Sequence, residues 1–189
     1  MQTNAKKIAY VAMFTAFGVV VNLLSFSVPP FGRASFLYMF SNIAGIVLGP
    51  WLGFASGVCA DILPAIVAPQ EGAPWMPLIT LSSGLMCMIP GLVFRYIPWK
   101  SFTAKLVLSA IISFVVCTLG VGALGSVPIL HMYFKSAVAL GEQYGITSPY
   151  LMLAFYKLLT QPFWIVLNCV LTSLVYVPIR KFAEQKVRK

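Results

Sequence analysis

The chain reads as a succession of apolar runs near the length of a membrane crossing, separated by short breaks rich in Pro, Gly, Lys and Arg. The first extends from about Lys7 to Phe26 and stops at Pro29 and Pro30, which cannot continue a helix. A shorter run, Ser35 to Leu48, follows Arg33 and breaks at Gly49-Pro50; at ~14 residues it suits a re-entrant segment as well as a span. The third runs from Trp51 to about Val67, interrupted only by Asp61 and Pro64. The Pro- and Gly-rich stretch from Ala68 to Pro77 reads as a loop. Leu78 to Phe94 makes a fourth run, Ala104 to Leu124 a fifth, and Tyr150 to Val177 a sixth, with a kink expected at Pro162. Between the last two, Gly125 to Pro149 mixes His131, Lys135 and Glu142 with Ile129, Met132, Phe134, Val138 and Leu140, as a short amphipathic helix over the bundle mouth would. The pattern predicts an all-α integral membrane protein, a compact bundle of six transmembrane helices forming one domain over residues 1–189.

Composition supports the lipid setting. The 189 residues are 60% hydrophobic and 9% charged, where a soluble domain carries about 25% charge. The net charge of +9 does not signal nucleic acid, because the cations gather at the ends of apolar runs instead of forming a stripe with aromatics. With six crossings, Lys6, Lys7, Arg95, Lys100, Lys105, Arg180, Lys181, Lys186, Arg188 and Lys189 fall on one side, and only Arg33 and Lys135 on the other. The basic side is then cytoplasmic, with both termini there, and the chain is a multi-pass protein of the cell membrane. Lys6 and Lys7 ahead of an apolar stretch resemble a signal peptide, yet no small-x-small cleavage site follows, so a retained span is expected. Cys59, Cys87, Cys117 and Cys169 stand singly inside apolar runs without C-x-x-C spacing, which predicts small buried hydrophobes and no metal site.

Two ionisable residues interrupt the runs, Asp61 and Lys157, and each costs at least about 2.5 kcal/mol in a bilayer. Counting helical rise inward from the outer loops puts them at one depth, roughly 10 and 12 Å down. Gln161 lies one turn below Lys157, and Arg33 stands near the outer mouth. A polar cluster in the outer half follows, with either an Asp61–Lys157 ion pair that fixes packing or a ligand between them. Phe31, Phe36, Tyr38, Trp75, Tyr150, Phe155 and Tyr156 crowd the same half, so a flat ligand would find rings to stack on, although such rings also serve packing and interface anchoring. On the first run Ala5, Ala9, Ala12 and Ala16 make a stripe of small residues where another helix can approach closely, in this chain or in a partner. Neither a nucleotide loop nor H-E-x-x-H occurs, and Gly53-Phe-Ala-Ser-Gly57 is not G-x-S-x-G, so an enzyme is not expected. An intramembrane lipid-modifying enzyme needs more acidic or His residues than four carboxylates and one His provide. A channel needs a polar face through the full depth, and the cytoplasmic half is almost wholly apolar.

The residues also carry a family likeness. The Ala-x-x-x-Ala first helix, the segment Pro29-Pro-Phe-Gly-Arg33-Ala-Ser-Phe36, and Ala44-Gly-Ile-Val-Leu-Gly-Pro50 leading to Gly57-Val-Cys-Ala-Asp61 resemble the substrate-binding S components of energy-coupling-factor vitamin transporters, most of all the folate type. Leu81-Ser-Ser-Gly84 through Pro90-Gly91 resembles that family's fourth span. The chain departs from the folate pattern in carrying Lys157-x-x-x-Gln161 where an Arg-x-x-x-Gln is usual, and Thr118 without an Asn–Thr pair; riboflavin, pantothenate or a pyrimidine precursor stay open as ligands. The resemblance implies a cofactor-free subunit that captures a vitamin, with folate foremost, from outside. It would dock through Ala9, Ala12 and Ala16 on a transmembrane coupling subunit that works with two ATPases. Arg33, Phe36, Asp61, Trp75, Lys157 and Gln161 would line the ligand site. Asp61 would accept paired N–H bonds from a pterin-like ring, and Arg33 and Lys157 would meet carboxylates.

Overall fold

In lipid every backbone N–H and C=O must be satisfied within the chain, and the structure meets this demand with helices. It is a computed structural model describing residues 4–23, 26–28, 32–34, 36–67, 75–99 and 101–187, with side chains over 8–23, 36–67, 75–99, 101–131 and 134–176. Helix α1 (Asn4–Leu23) is followed by a small antiparallel hairpin, β1 (Phe26–Val28) and β2 (Gly32–Ala34), in which Ser27 faces Arg33. Next come α2 (Leu37–Leu48), α3 (Pro50–Val67) and α4 (Pro77–Tyr96). Helix α5 (Phe102–Ser113) passes without a break into a π-helical stretch, Phe114–Val121, then α6 (Gly122–Ser126), a 3-10 turn (Val127–Ile129) and α7 (Leu130–Tyr133). Helices α8 (Lys135–Gln143) and α9 (Pro149–Val187) complete the order, and α9 continues through Pro162 as one helix.

Counting α5 to α7 as one body, the described residues form seven helices where six were expected. The seventh is α8, in the mixed polar segment read as amphipathic, and it packs on α9 with Gly141 tight against Met152. Among the described residues four helical stretches are long and apolar enough to cross a membrane: Pro50–Val67, Pro77–Tyr96, Phe102–Ile129 and Pro149–Tyr176. Ile8–Leu23 and Leu37–Leu48 are apolar but shorter. The 12 residues of α2 span only about 18 Å, less than a bilayer core.

Buried clusters around Phe40, Met86 and Leu153 hold the interior, while many large apolar side chains also face outward and small residues line the seam of α3 with its neighbours. Ile66 is 70% exposed, Val166 64% and Leu174 65%, while Gly53 and Gly57 on α3 meet Ser83 and Cys87 on α4, and Ser56 and Ala60 meet Thr15 and Gly18 on the buried side of α1. Water gives no drive for helices to associate inside lipid, so close backbone approach through small residues supplies the packing. Gly45 shows how close: a Cβ there would lie 2.2 Å from the Cys87 carbonyl oxygen. Gly49, the only residue between α2 and α3, turns the chain with φ +83°, a conformation that L side chains rarely adopt. Of the four cysteines expected to be buried, Cys87 and Cys117 are, Cys169 is half-buried, and Cys59 is exposed on α3, on the side turned away from α4.

Residue pairings fix the helix directions. Thr15 meets Ser56 and Gly18 meets Ala60, so α1 and α3 run parallel; Asp61 meets Thr80 and Phe54 meets Gly84, so α3 and α4 are antiparallel. Gly45 meets Cys87 and Gly49 meets Gly91, which makes α2 parallel to α4, and Phe94 meets Phe102 while Ser82 meets Cys117, which makes α5 antiparallel to both. One end of the bundle therefore gathers the end of α1, the starts of α2, α4 and α9, and the end of α3.

Candidate functional site

The polar side chains at that end form two groups, separated by α4. The first is built on Asp61. Thr80, in the first turn of α4, donates its hydroxyl proton to Asp61 Oδ2 at 2.6 Å and accepts the indole N–H of Trp75 at 2.9 Å. The result is a relay in one direction, indole to hydroxyl to carboxylate, in which each bond polarises the next. Ser83 lies 3.3 Å from Asp61 Oδ1 and 3.2 Å from the Ile79 carbonyl, so its single proton is shared between two acceptors. Hydrogen bonds to a charged group are each worth about 1.5 to 3 kcal/mol, which offsets the penalty of placing Asp61 in a span. A carboxylate has about four acceptor positions, and among the described residues these hydroxyls occupy two; Asp61 itself is half-buried.

The second group is built on Lys157, which is buried on α9 with 9% exposure. Its Nζ donates to the Ser126 hydroxyl at 3.3 Å, and that hydroxyl donates onward to the Gly122 carbonyl at 2.6 Å. The ammonium also lies 5.9 Å from the ring centre of Phe134. Ser126 follows Gly125, whose Cα is pressed against Leu78 and Ile79, the side of α4 away from Thr80. Among the described residues no ion pair joins Asp61 and Lys157, which corrects one of the two readings of the sequence. Equal depth gives one coordinate only, and a whole helix stands between them.

The remaining expected site residues are distributed as follows. Phe36, at the start of α2, is 38% exposed, and Trp75 is 53% exposed on its tether to Thr80. Gln161 lies half-buried one turn beyond Lys157. Arg33 lies in β2, and its side chain falls outside the described residues. Several of the other aromatics serve packing: Phe155 meets Tyr144 edge-on, Tyr156 is buried against Phe134, and the Tyr150 hydroxyl donates to the Leu119 carbonyl at 3.0 Å. Tyr38 bonds to the Thr118 hydroxyl. Thr80, Ser83 and Ser126 were not singled out from the sequence; the small-residue register of α3 against α4 is the signal that places the first two opposite Asp61.

Elsewhere, Ala9, Ala12 and Ala16 form an exposed stripe on α1, opposite the face on which Thr15, Gly18 and Val21 are buried. A groove of about 710 Å³ runs between α5 and α9, lined by Leu106, Ala110, Ile165 and Cys169 among others. It lies on the far side of Thr118 and Asn168 from the polar end and is almost wholly apolar, so it is a lipid-facing furrow and not part of the site.

The family described as "ECF transporter, substrate-specific component" matches residues 6–179. No curated protein matches the chain. Solved structures share the fold, two of them as follows. One is FolT in a crystal structure with folic acid bound, with 19% identity and a TM-score of 0.61 over 92% of this chain and 98% of that one. The other is the S component of a bacterial ECF transporter, with 17% identity and a TM-score of 0.61 over 96% and 99%.

Proposed function

We propose that this chain, which belongs to the substrate-specific components of ECF transporters, binds a folate and delivers it to an energising module. The observation that carries the ligand is the state of its two intramembrane ionisable groups: among the described residues, Asp61 accepts from two hydroxyls only, and Lys157 has a single hydroxyl for its three N–H donors. Because α4 separates the two groups, a ligand that serves both must reach over the first turn of α4, with paired N–H donors at the Asp61 end and a carboxylate at the Lys157 end. A pterin ring with a glutamyl tail has that polarity, and FolT, a protein of the same fold, has been crystallised with folic acid. In this reading Asp61 takes the ring N–H groups, Phe36 and Trp75 cover the ring face, and Lys157, Gln161 and Arg33 meet the tail. The exposed stripe of Ala9, Ala12 and Ala16 docks on a transmembrane coupling subunit that works with two ATPases.

Mass spectrometry of what co-purifies with detergent-extracted protein tests the ligand. Folic acid or a reduced folate is expected, and riboflavin, pantothenate or a pyrimidine precursor in its place overturns the substrate while leaving the family standing.

The cation distribution supports a reading with six crossings, both termini in the cytoplasm and the polar end outside. Single cysteines introduced as Gly72→Cys, Pro98→Cys and Lys186→Cys, in a background with Cys59, Cys87, Cys117 and Cys169 replaced by Ala, report this directly. An impermeant thiol reagent applied to intact cells should label position 72 and leave 98 and 186 unlabelled; labelling at 98 contradicts the arrangement.

A further inference from the structure

Two buried polar side-chain atoms among the described residues have no hydrogen-bond partner, Asn42 Nδ2 and Ser113 Oγ. Both residues are 2% exposed. An unmade hydrogen bond in a protein interior is expensive, and more so within a bilayer where water does not repair it. Two such atoms in one small bundle therefore call for a common cause.

The helix register brings them together. Tyr38 on α2 bonds Thr118 on the π-helical stretch, which fixes the level at which these antiparallel helices meet. Asn42 lies one turn further along α2 from Tyr38. Ser113 lies five residues back from Thr118, and the i→i+5 bonding of a π-helix keeps residues five apart near one face. Both orphans thus occupy the seam between α2 and α5, one turn deeper than the Tyr38–Thr118 bond. The third wall is α9, where Asn168 accepts the Met39 backbone N–H at 3.1 Å through Oδ1 and donates to the Trp164 carbonyl at 2.8 Å, so its amide is already committed.

The π-helical stretch is pinned from three directions at this point. Ser82 of α4 donates to the Cys117 carbonyl at 2.8 Å, Tyr150 of α9 to the Leu119 carbonyl, and Tyr38 pairs with Thr118. Single-turn π distortions of α-helices cluster at functional sites. Here the distortion begins at Phe114, directly after Ser113, and the register places Ser113 and Asn42 at one level of the seam, each with hydrogen-bonding capacity left over.

We infer that Asn42 and Ser113 form the inner floor of the ligand site, a donor and a donor–acceptor that take the polar edge of a planar heterocycle entering from the Asp61 end. The inference rests on the vitamin-binding reading above and adds to it a requirement on the ligand: a ring acceptor, nitrogen or carbonyl, for the Asn42 N–H. The alternative is a purely structural pair bridged by a buried water.

The test is folic acid titrated into wild type, Asn42→Leu and Ser113→Ala by intrinsic Trp fluorescence, with melting curves taken without and with the vitamin. Removing an unpartnered polar atom deprives the ligand-free protein of nothing, so both variants should melt at or above the wild-type temperature without ligand. Asn42→Leu should bind folic acid about tenfold or more weakly and show a smaller ligand-induced rise in melting temperature. Unchanged affinity in both variants overturns the inference, and so does a lowered ligand-free melting temperature with affinity intact, the signature of a bridged structural pair. Wild type that ignores folic acid overturns the folate reading instead; the same variants titrated with riboflavin or pantothenate, whichever stabilises wild type, then decide the role of the floor by the same criteria.

Discussion

Replacing Ala12 or Ala16 with Trp is expected to abolish vitamin uptake in cells that hold the coupling subunit and both ATPases, while the purified variants still bind the vitamin with wild-type strength. Ala9, Ala12 and Ala16 occupy one exposed stripe of α1, and the opposite face carries the contacts that attach α1 to α3, Thr15 to Ser56 and Gly18 against Ala60 and Phe40. An indole added to the exposed stripe points away from these contacts. It does occupy the surface along which a partner helix must approach, and a contact between small residues in lipid depends on backbones coming close. Affinity within about twofold of wild type follows from the usual tolerance of surface positions. Uptake of labelled vitamin, compared with binding by the purified variant, separates a docking defect from a folding defect. Uptake that survives both substitutions shows that this face is not where the partner sits.

Asp61→Asn is expected to weaken folic acid binding roughly 10- to 100-fold, the effect of losing charge-assisted hydrogen bonds in a water-poor site. Its consequence for stability is small by the same geometry. Asp61 forms no ion pair with Lys157, so neutralising it strands no charge, and an Asn carbonyl still accepts from Thr80. The melting temperature without ligand should therefore change little. An ion pair across the bundle would make the opposite prediction, because removing one partner of a buried pair costs 3 to 5 kcal/mol whether ligand is present or not. Arg33→Ala should weaken binding over the same range if the guanidinium meets the ligand tail.

Much of this was legible in the apolar runs. Their lengths and the Pro and Gly breaks locate α1, α3, α4 and α9, and the alanine stripe of α1 emerges on an exposed face. Asp61 and Lys157 stood out because charge in lipid is costly. Their partners did not, because counting rise along a helix yields depth but not azimuth; the two side chains turned out to face opposite flanks of α4, with Thr80 and Ser83 on one and Ser126 on the other. The π-helical stretch at Phe114–Val121 has no Pro or charge to announce it, and its hydroxyl contacts come from helices far away in sequence. Burial of Cys59 was expected from its apolar neighbours, yet apolar neighbours in a membrane helix do not distinguish the face toward lipid from the face toward protein.

The central claim is that this chain alone, without ATPase or coupling subunit, is a vitamin receptor. Titration of folic acid into the purified protein in detergent, followed by intrinsic Trp fluorescence, tests it most directly, since Trp75 is tied through Thr80 to Asp61. A saturable change at one equivalent of folic acid, accompanied by a rise in melting temperature and reduced in Asp61→Asn, is the predicted result. No saturable response to folic acid, together with an unchanged melting temperature, would contradict it.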